Sequence, residues 1–285
     1  MKENPMNPRP AFTYGLELEW TDWDRSIPIP PELAILTEDE ITVCNRDGTP
    51  YGKGSEGRGG ELCVTPSDSI EEAVEKVARL RALVGDPKVS HRCHLHVHVA
   101  YPGLREDLPA QLALFRYSID PENADALERL AADRPEIPEL DDPEARKAAV
   151  AWLRRSDLYT RSRVPSSRVP EILAATTPRE FYDAHFAPRR DGRGRAYGVA
   201  PRYTLNLRSI HKHGTVEFRM FSGTTEPEEI RELLSFAETY VAEALSPEPT
   251  PVAEYVDLYS APPSIPFDLD AELAFTRARM LEAVL

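Results

Sequence analysis

Residues 15–20 read Gly15-Leu16-Glu17-Leu18-Glu19-Trp20, and the fold turns on how that alternation is interpreted. In an extended chain, side chains at i and i+2 leave the same face. Glu17 and Glu19 therefore share one face, while Leu16, Leu18 and Trp20 take the other. Two further stretches repeat the pattern: Cys93-His94-Leu95-His96-Val97-His98-Val99 and Thr215-Val216-Glu217-Phe218-Arg219-Met220-Phe221. Strands that line up carboxylates, imidazoles and a guanidinium opposite an apolar face predict a sheet with a core on one side. The other side becomes a polyvalent-cation and phosphate site.

Working outward, Gly57-Arg58-Gly59-Gly60 leads into another strand over residues 61–65, which offers Glu61 as a further carboxylate. A short helix or turn and then a strand over residues 40–45 are expected before it, with Asp47-Gly48 as a turn. Ser69 and Glu72 have capping-box spacing and open an amphipathic helix through about residue 83. Helices are expected over 109–117, 121–132, 143–155 and 178–186, several with proline in the first turn. Strands return at 202–207 and 215–221, followed by a helix over 226–245 and a last one over about 270–284. The fold class is α+β, with an antiparallel catalytic sheet interrupted by a helical insertion at about 104–200. Residues 12–245 are expected to form one domain, and 246–285 a proline-rich connection and terminal helix.

The chain has 285 residues, enough for a sizeable core, and a formal net charge of -14. That balance argues against general nucleic-acid binding, which needs clustered Lys and Arg. Basic residues do concentrate at 145–168 and 189–195, either as solvated surface or as a rim that attracts an anionic substrate. Three cysteines (Cys44, Cys63, Cys93), without a CxxC pair, fit a reducing compartment and no zinc knuckle. With no apolar leader at residues 1–12 and no run of membrane-spanning length, the expectation is a soluble cytoplasmic protein.

Each constellation has a plainer reading beside the chemical one. Glu17 and Glu19 suit Mg²⁺ or Mn²⁺, or else mark a solvated strand face. His94, His96 and His98 suggest zinc, a cupin-like iron site or hydrogen-bonded core histidines. Glu217 and Arg219 make a salt bridge, or a metal ligand beside a phosphate-neutralising guanidinium. There is no Walker loop, Gly-x-Gly-x-x-Gly or Gly-x-Ser-x-Gly elbow. Cys93 is a poor nucleophile candidate, because its neighbour His94 faces the opposite way along a strand.

Taken in order, residues 15–19, Gly60-Glu61-Leu62-Cys63-Val64-Thr65-Pro66, 94–99, 202–207 and 215–224 resemble the amidoligase family. These are carboxylate–amine ligases related to glutamine synthetase and gamma-glutamylcysteine ligase. The likeness covers about residues 12–245 and is looser in the helical middle. It implies a curved antiparallel sheet of the glutamine synthetase type holding ATP and two or three Mg²⁺ ions, with Mn²⁺ as a substitute. Glu17, Glu19, Glu61, His96 and Glu217 match metal-facing positions, and Arg219 the phosphate-binding arginine. His96, Glu217 and Arg219 are the implied catalytic group, and Arg202 and Asn206, with Arg219, fall where nucleotide or substrate is contacted. The family has glycine before its His-x-His pair, where this chain has His94, so the roles of His94 and His98 stay open.

The implied reaction joins a carboxylate and an amine through an acyl phosphate. The substrates would be small molecules, peptides or a modified nucleobase, and relatives of this kind commonly assemble into oligomers. A loop over 187–200 is expected to close on the site, with Arg161 and Arg163 as candidates for binding the acidic substrate. The alternatives are a phosphotransferase on the same sheet, a catalytically idle nucleotide or metal-binding module, and a zinc or iron hydrolase built on the histidines.

Overall fold

Leu16, Leu18 and Trp20 drive the first long strand into the core, and the rest of the sheet assembles on it. The computed structural model describes residues 11–24, 26–36, 58–89, 93–132, 168–186, 189–190, 196–197 and 204–252. The expected elements at 40–45, 143–155 and 270–284, the Asp47-Gly48 turn, and Arg161, Arg163 and Arg202 lie outside them. The strands are β1 (Thr13–Asp24), β2 (Ala34–Leu36), β3 (Arg58–Ser67), β4 (His94–Ala100), β5 (Arg189–Arg190), β6 (Ala196–Tyr197), β7 (Leu205–Asn206) and β8 (Val216–Ser222). The helices are α1 (Ile70–Val84), α2 (Leu108–Ile119), α3 (Pro121–Ala132), α4 (Val169–Leu173), α5 (Pro178–Phe186), α6 (Arg208–His213) and α7 (Pro227–Ala244).

The architecture is α+β. Among the described residues one sheet has six strands in the order β2-β3-β1-β4-β8-β7, and β5 pairs with β6 separately. Every neighbouring pair in the sheet is antiparallel. Such a sheet can bury one face and give the other to chemistry. On the buried face lie Leu16, Leu18, Trp20, Leu62, Leu95, Val97, Val99 and Phe218, covered by α1 and α7. The α7 aromatics meet the sheet edge-on, with Phe218 5.4 Å from Tyr240 and 6.3 Å from Phe236 between ring centroids.

Helix α1 begins as its capping spacing predicts: Ser69 Oγ accepts from Glu72 N at 3.1 Å. Glu72 reaches back to Asp68 N at 2.9 Å, one residue beyond the usual reciprocal partner. Gly85 closes the helix at φ 82°, a left-handed conformation that glycine adopts without steric cost.

Two local expectations change. The strand read over 202–207 is only Leu205–Asn206 among the described residues, because Asn206 Oδ1 accepts from Arg208 N at 3.1 Å and turns the chain into α6. Helix α6 and the short α4 have no strong periodicity of their own, and the sequence reading passed over both. No described helix is long and apolar enough to cross a membrane.

Candidate metal and anion site

The central ladders place the chemistry. Glu17 of β1 lies opposite Cys63 of β3 on one side and His96 of β4 on the other, while Glu19 lies opposite Glu61. His98 lies opposite Gly15 on β1 and opposite Glu217 on β8. Between Leu95↔Phe221 and Val97↔Phe218 the register slips, so Arg219 and Met220 face the single residue His96. This β-bulge re-aims the strand locally, and Arg219 N donates to Thr204 O at 2.9 Å. The register thus brings Glu17, Glu19, Glu61, His96, His98, Glu217 and Arg219 to one face, with Asn206 added by β7 opposite Glu217.

The side chains form a connected network. Glu17 Oε2 stands 2.5 Å from His96 Nδ1, and Glu17 Oε1 stands 3.2 Å from His98 Nε2. Asn206 Nδ2 donates to Glu217 Oε2 at 2.6 Å, and Arg219 Nη1 donates to Glu217 Oε1. His96 Nδ1 also lies 3.8 Å from Glu217 Oε1, which links the two halves. Glu19 Oε2 accepts from His94 N at 2.9 Å, so that carboxylate also fixes the start of β4. Glu19, Glu61, His96 and Glu217 are buried, and Glu17 is half-buried.

Burial sets the electrostatics, and partners then correct it. Burial pushes the Glu17 carboxyl up, but the hydrogen bonds from His96 and His98 outweigh it and hold the group well below the usual carboxylate range. Burial raises Glu217 in the same way, and the Arg219 guanidinium brings it back below its ordinary value. Burial, and then the positive charge of Arg219, lower the His96 ring against the opposing pull of Glu17 and Glu217. The consistent state is an ionised Glu17 accepting from Nδ1–H of a neutral His96, whose Nε2 then carries the lone pair.

Ligand atoms of Glu17, His98 and Glu217 all lie within 4.8 Å of one another. Two donors on one small ion at about 2.1 Å cannot be more than about 4.2 Å apart, so a shift of under an ångström would close the triad on a cation. Glu19, Glu61 and His96, the other metal-facing residues expected from sequence, share the face but stand outside this group. The sequence offers His98 among the strand histidines with its role open, and the register across from Glu217 is what brings it into the triad.

Two hydroxyls escaped the sequence reading. His98 Nδ1 lies 2.9 Å from Thr215 Oγ1, and Thr215 Oγ1 lies 2.7 Å from Ser209 Oγ. Thr215 opens its strand motif with no signal of a role, and Ser209 sits in α6, which the sequence does not predict. Arg219 Nε is buried and has no hydrogen-bond partner among the described residues. Comparison of the chain with family models, with curated proteins and with solved structures gives no match.

Proposed function

We propose that this protein is an ATP-dependent carboxylate–amine ligase, working through an acyl phosphate on the polar face of its sheet. The observation that carries the reading is the convergence of Glu17, His98 and Glu217, with Arg219 on the last of them. The resemblance of the strand motifs to the amidoligases supports the same reading, and a glutamine synthetase-type sheet is proposed with it.

The donor set fits a divalent cation. Carboxylate oxygens from Glu17 and Glu217 with one imidazole nitrogen suit Mg²⁺ or Mn²⁺. Glu19 and Glu61, opposed in register on the same face, would hold a further ion. Bound cations would neutralise phosphate oxygens and polarise the γ-phosphoryl group. The protein's own residues do the rest. Arg219, with its Nε still able to donate, meets negative charge on the transferring phosphate. Asn206 keeps Glu217 oriented, and His96 keeps Glu17 oriented.

A substrate carboxylate oxygen attacks the γ-phosphorus of ATP and ADP leaves. The amine then attacks the acyl carbon, inorganic phosphate leaves, and the amine loses a proton to give the amide. Holding both substrates over one rigid face supplies proximity.

One observation favours a second reading. The imidazole nitrogen within the triad would also suit a zinc or iron hydrolase. The deciding experiment follows ADP release from Mg²⁺-ATP with pooled carboxylates and amines, with mass spectrometry for a dehydrated adduct. An amide formed only when both partners are present supports the ligase. ADP release with a carboxylate or guanidine alone, leaving a stable phosphorylated product, points to a phosphotransferase. Bound ATP with no turnover points to a nucleotide-binding module, and tightly held zinc or iron with ATP-independent hydrolysis to the hydrolase.

A further inference from the structure

The Ser209–Thr215 hydroxyl pair lies behind His98, on the side away from Glu17. His98 Nε2 faces Glu17 Oε1 at 3.2 Å, and its Nδ1 faces Thr215 Oγ1 at 2.9 Å. Thr215 Oγ1 in turn stands 2.7 Å from the buried Ser209 Oγ. We propose that this pair positions His98 as the nitrogen ligand of the site, by accepting either tautomer of its neutral ring. The inference rests on the divalent-cation reading of the triad.

In a neutral ring with no ion bound, an Nε2–H that donates to Glu17 leaves Nδ1 to accept. Thr215 O–H can donate to it, with Ser209 O–H donating to Thr215 Oγ1. A ligating nitrogen carries no hydrogen, so cation binding moves the ring's single hydrogen to Nδ1. Nδ1–H then donates to Thr215 Oγ1, and Thr215 O–H turns toward Ser209 Oγ. The imidazole stays neutral and each hydroxyl keeps its hydrogen, so only the direction of the chain reverses.

A hydroxyl is suited to this role because it both donates and accepts. A backbone carbonyl or a carboxylate at that place would fix Nδ1–H, and a backbone N–H would fix the other tautomer. The surrounding structure holds the arrangement. Ser209 is fixed in α6, and Thr215 immediately precedes β8. Partners behind a ligating histidine commonly change metal affinity by about 10–100-fold when removed.

The test is Mn²⁺ binding to the full chain without nucleotide, followed by electron paramagnetic resonance of the free ion. Thr215→Val keeps the shape and removes both hydrogen-bonding capacities. It should weaken Mn²⁺ by about 10–100-fold, while Thr215→Ser should bind like wild type. Ser209→Ala leaves Thr215 in place and should cost less than Thr215→Val. Near-wild-type melting temperatures would exclude a folding effect, and if Thr215→Val does not fold, the comparison of Ser209→Ala with wild type decides. Wild-type affinity in Thr215→Val, or in Ser209→Ala if only that variant folds, overturns the positioning role and leaves the cation site standing. No Mn²⁺ bound by the wild type overturns the cation reading itself, and this inference with it.

Discussion

Glu17 and His96 face each other across the β1–β4 ladder, and Glu17 Oε2 stands 2.5 Å from His96 Nδ1. That separation is shorter than an ordinary hydrogen bond from a nitrogen donor to a carboxylate oxygen. The same carboxylate reaches His98 with its second oxygen. One side chain therefore orients two imidazoles and supplies the negative charge that a cation would need.

Glu17→Gln keeps the size of the side chain and removes its charge. Under the proposed function, Mg²⁺-dependent turnover should fall by at least about 100-fold, with an unchanged circular dichroism spectrum. A folded Glu17→Gln protein with wild-type turnover would remove Glu17 from the site.

Arg219 and a bound cation would compete for Glu217, because Arg219 Nη1 already holds Glu217 Oε1. Arg219→Ala should therefore leave Mn²⁺ affinity unchanged or tighter while turnover drops by about 10²–10³-fold. Arg219→Lys restores the charge without the planar fork and should recover only part of the rate. Parallel measurement of Mn²⁺ binding and kcat separates the two effects; a joint loss of both would mean that Arg219 builds the cation site.

Gly223 is required by a close approach. An added Cβ would lie 2.7 Å from Cys93 Cβ and 3.0 Å from its carbonyl carbon and oxygen. Gly223 N donates to Cys93 O at 2.8 Å, so the two segments cannot easily separate. Gly223→Ala should cost about 1–3 kcal/mol in a denaturant titration. An unchanged midpoint would show that the backbone relaxes freely there.

His185 is packed against Phe115, Phe181 and Phe186, with ring centroids 5.2, 5.5 and 4.2 Å away. Burial, and next the Arg168 guanidinium, lower its ring to about 3 from an ordinary 6.5. Between those values the unfolded chain binds more protons than the folded one, so stability rises with pH across that window and levels off above it. The slope from this group reaches about 1.4 kcal/mol per pH unit. Unfolding midpoints measured from pH 4 to 8 should rise less steeply in His185→Leu than in wild type. Equal slopes would show that His185 accepts a proton in the folded state.

Much of the sheet was legible because a strand's side chains alternate by geometry, whatever surrounds them. The period at 15–20, 93–99 and 215–221 announced which residues share a face, and β1, β4 and β8 follow it. Helices α1, α3, α5 and α7 were equally legible from Ser69 and from prolines in their first turns, since caps act within one helical turn. The pairing of His98 with Glu217 was not legible, because it depends on a bulge that inserts one extra β8 residue opposite His96. Nor was the Ser209–Thr215 pair, which exists only because Asn206 ends β7 early and turns the chain into α6.

The sequence by itself determined which side chains could face one another, since alternation and capping are local and depend on neighbours a few residues away. The tertiary structure alone decided which of them meet. Strand order and register join residues as far apart as Glu17 and Glu217, and those are fixed by how the apolar face packs against α1 and α7.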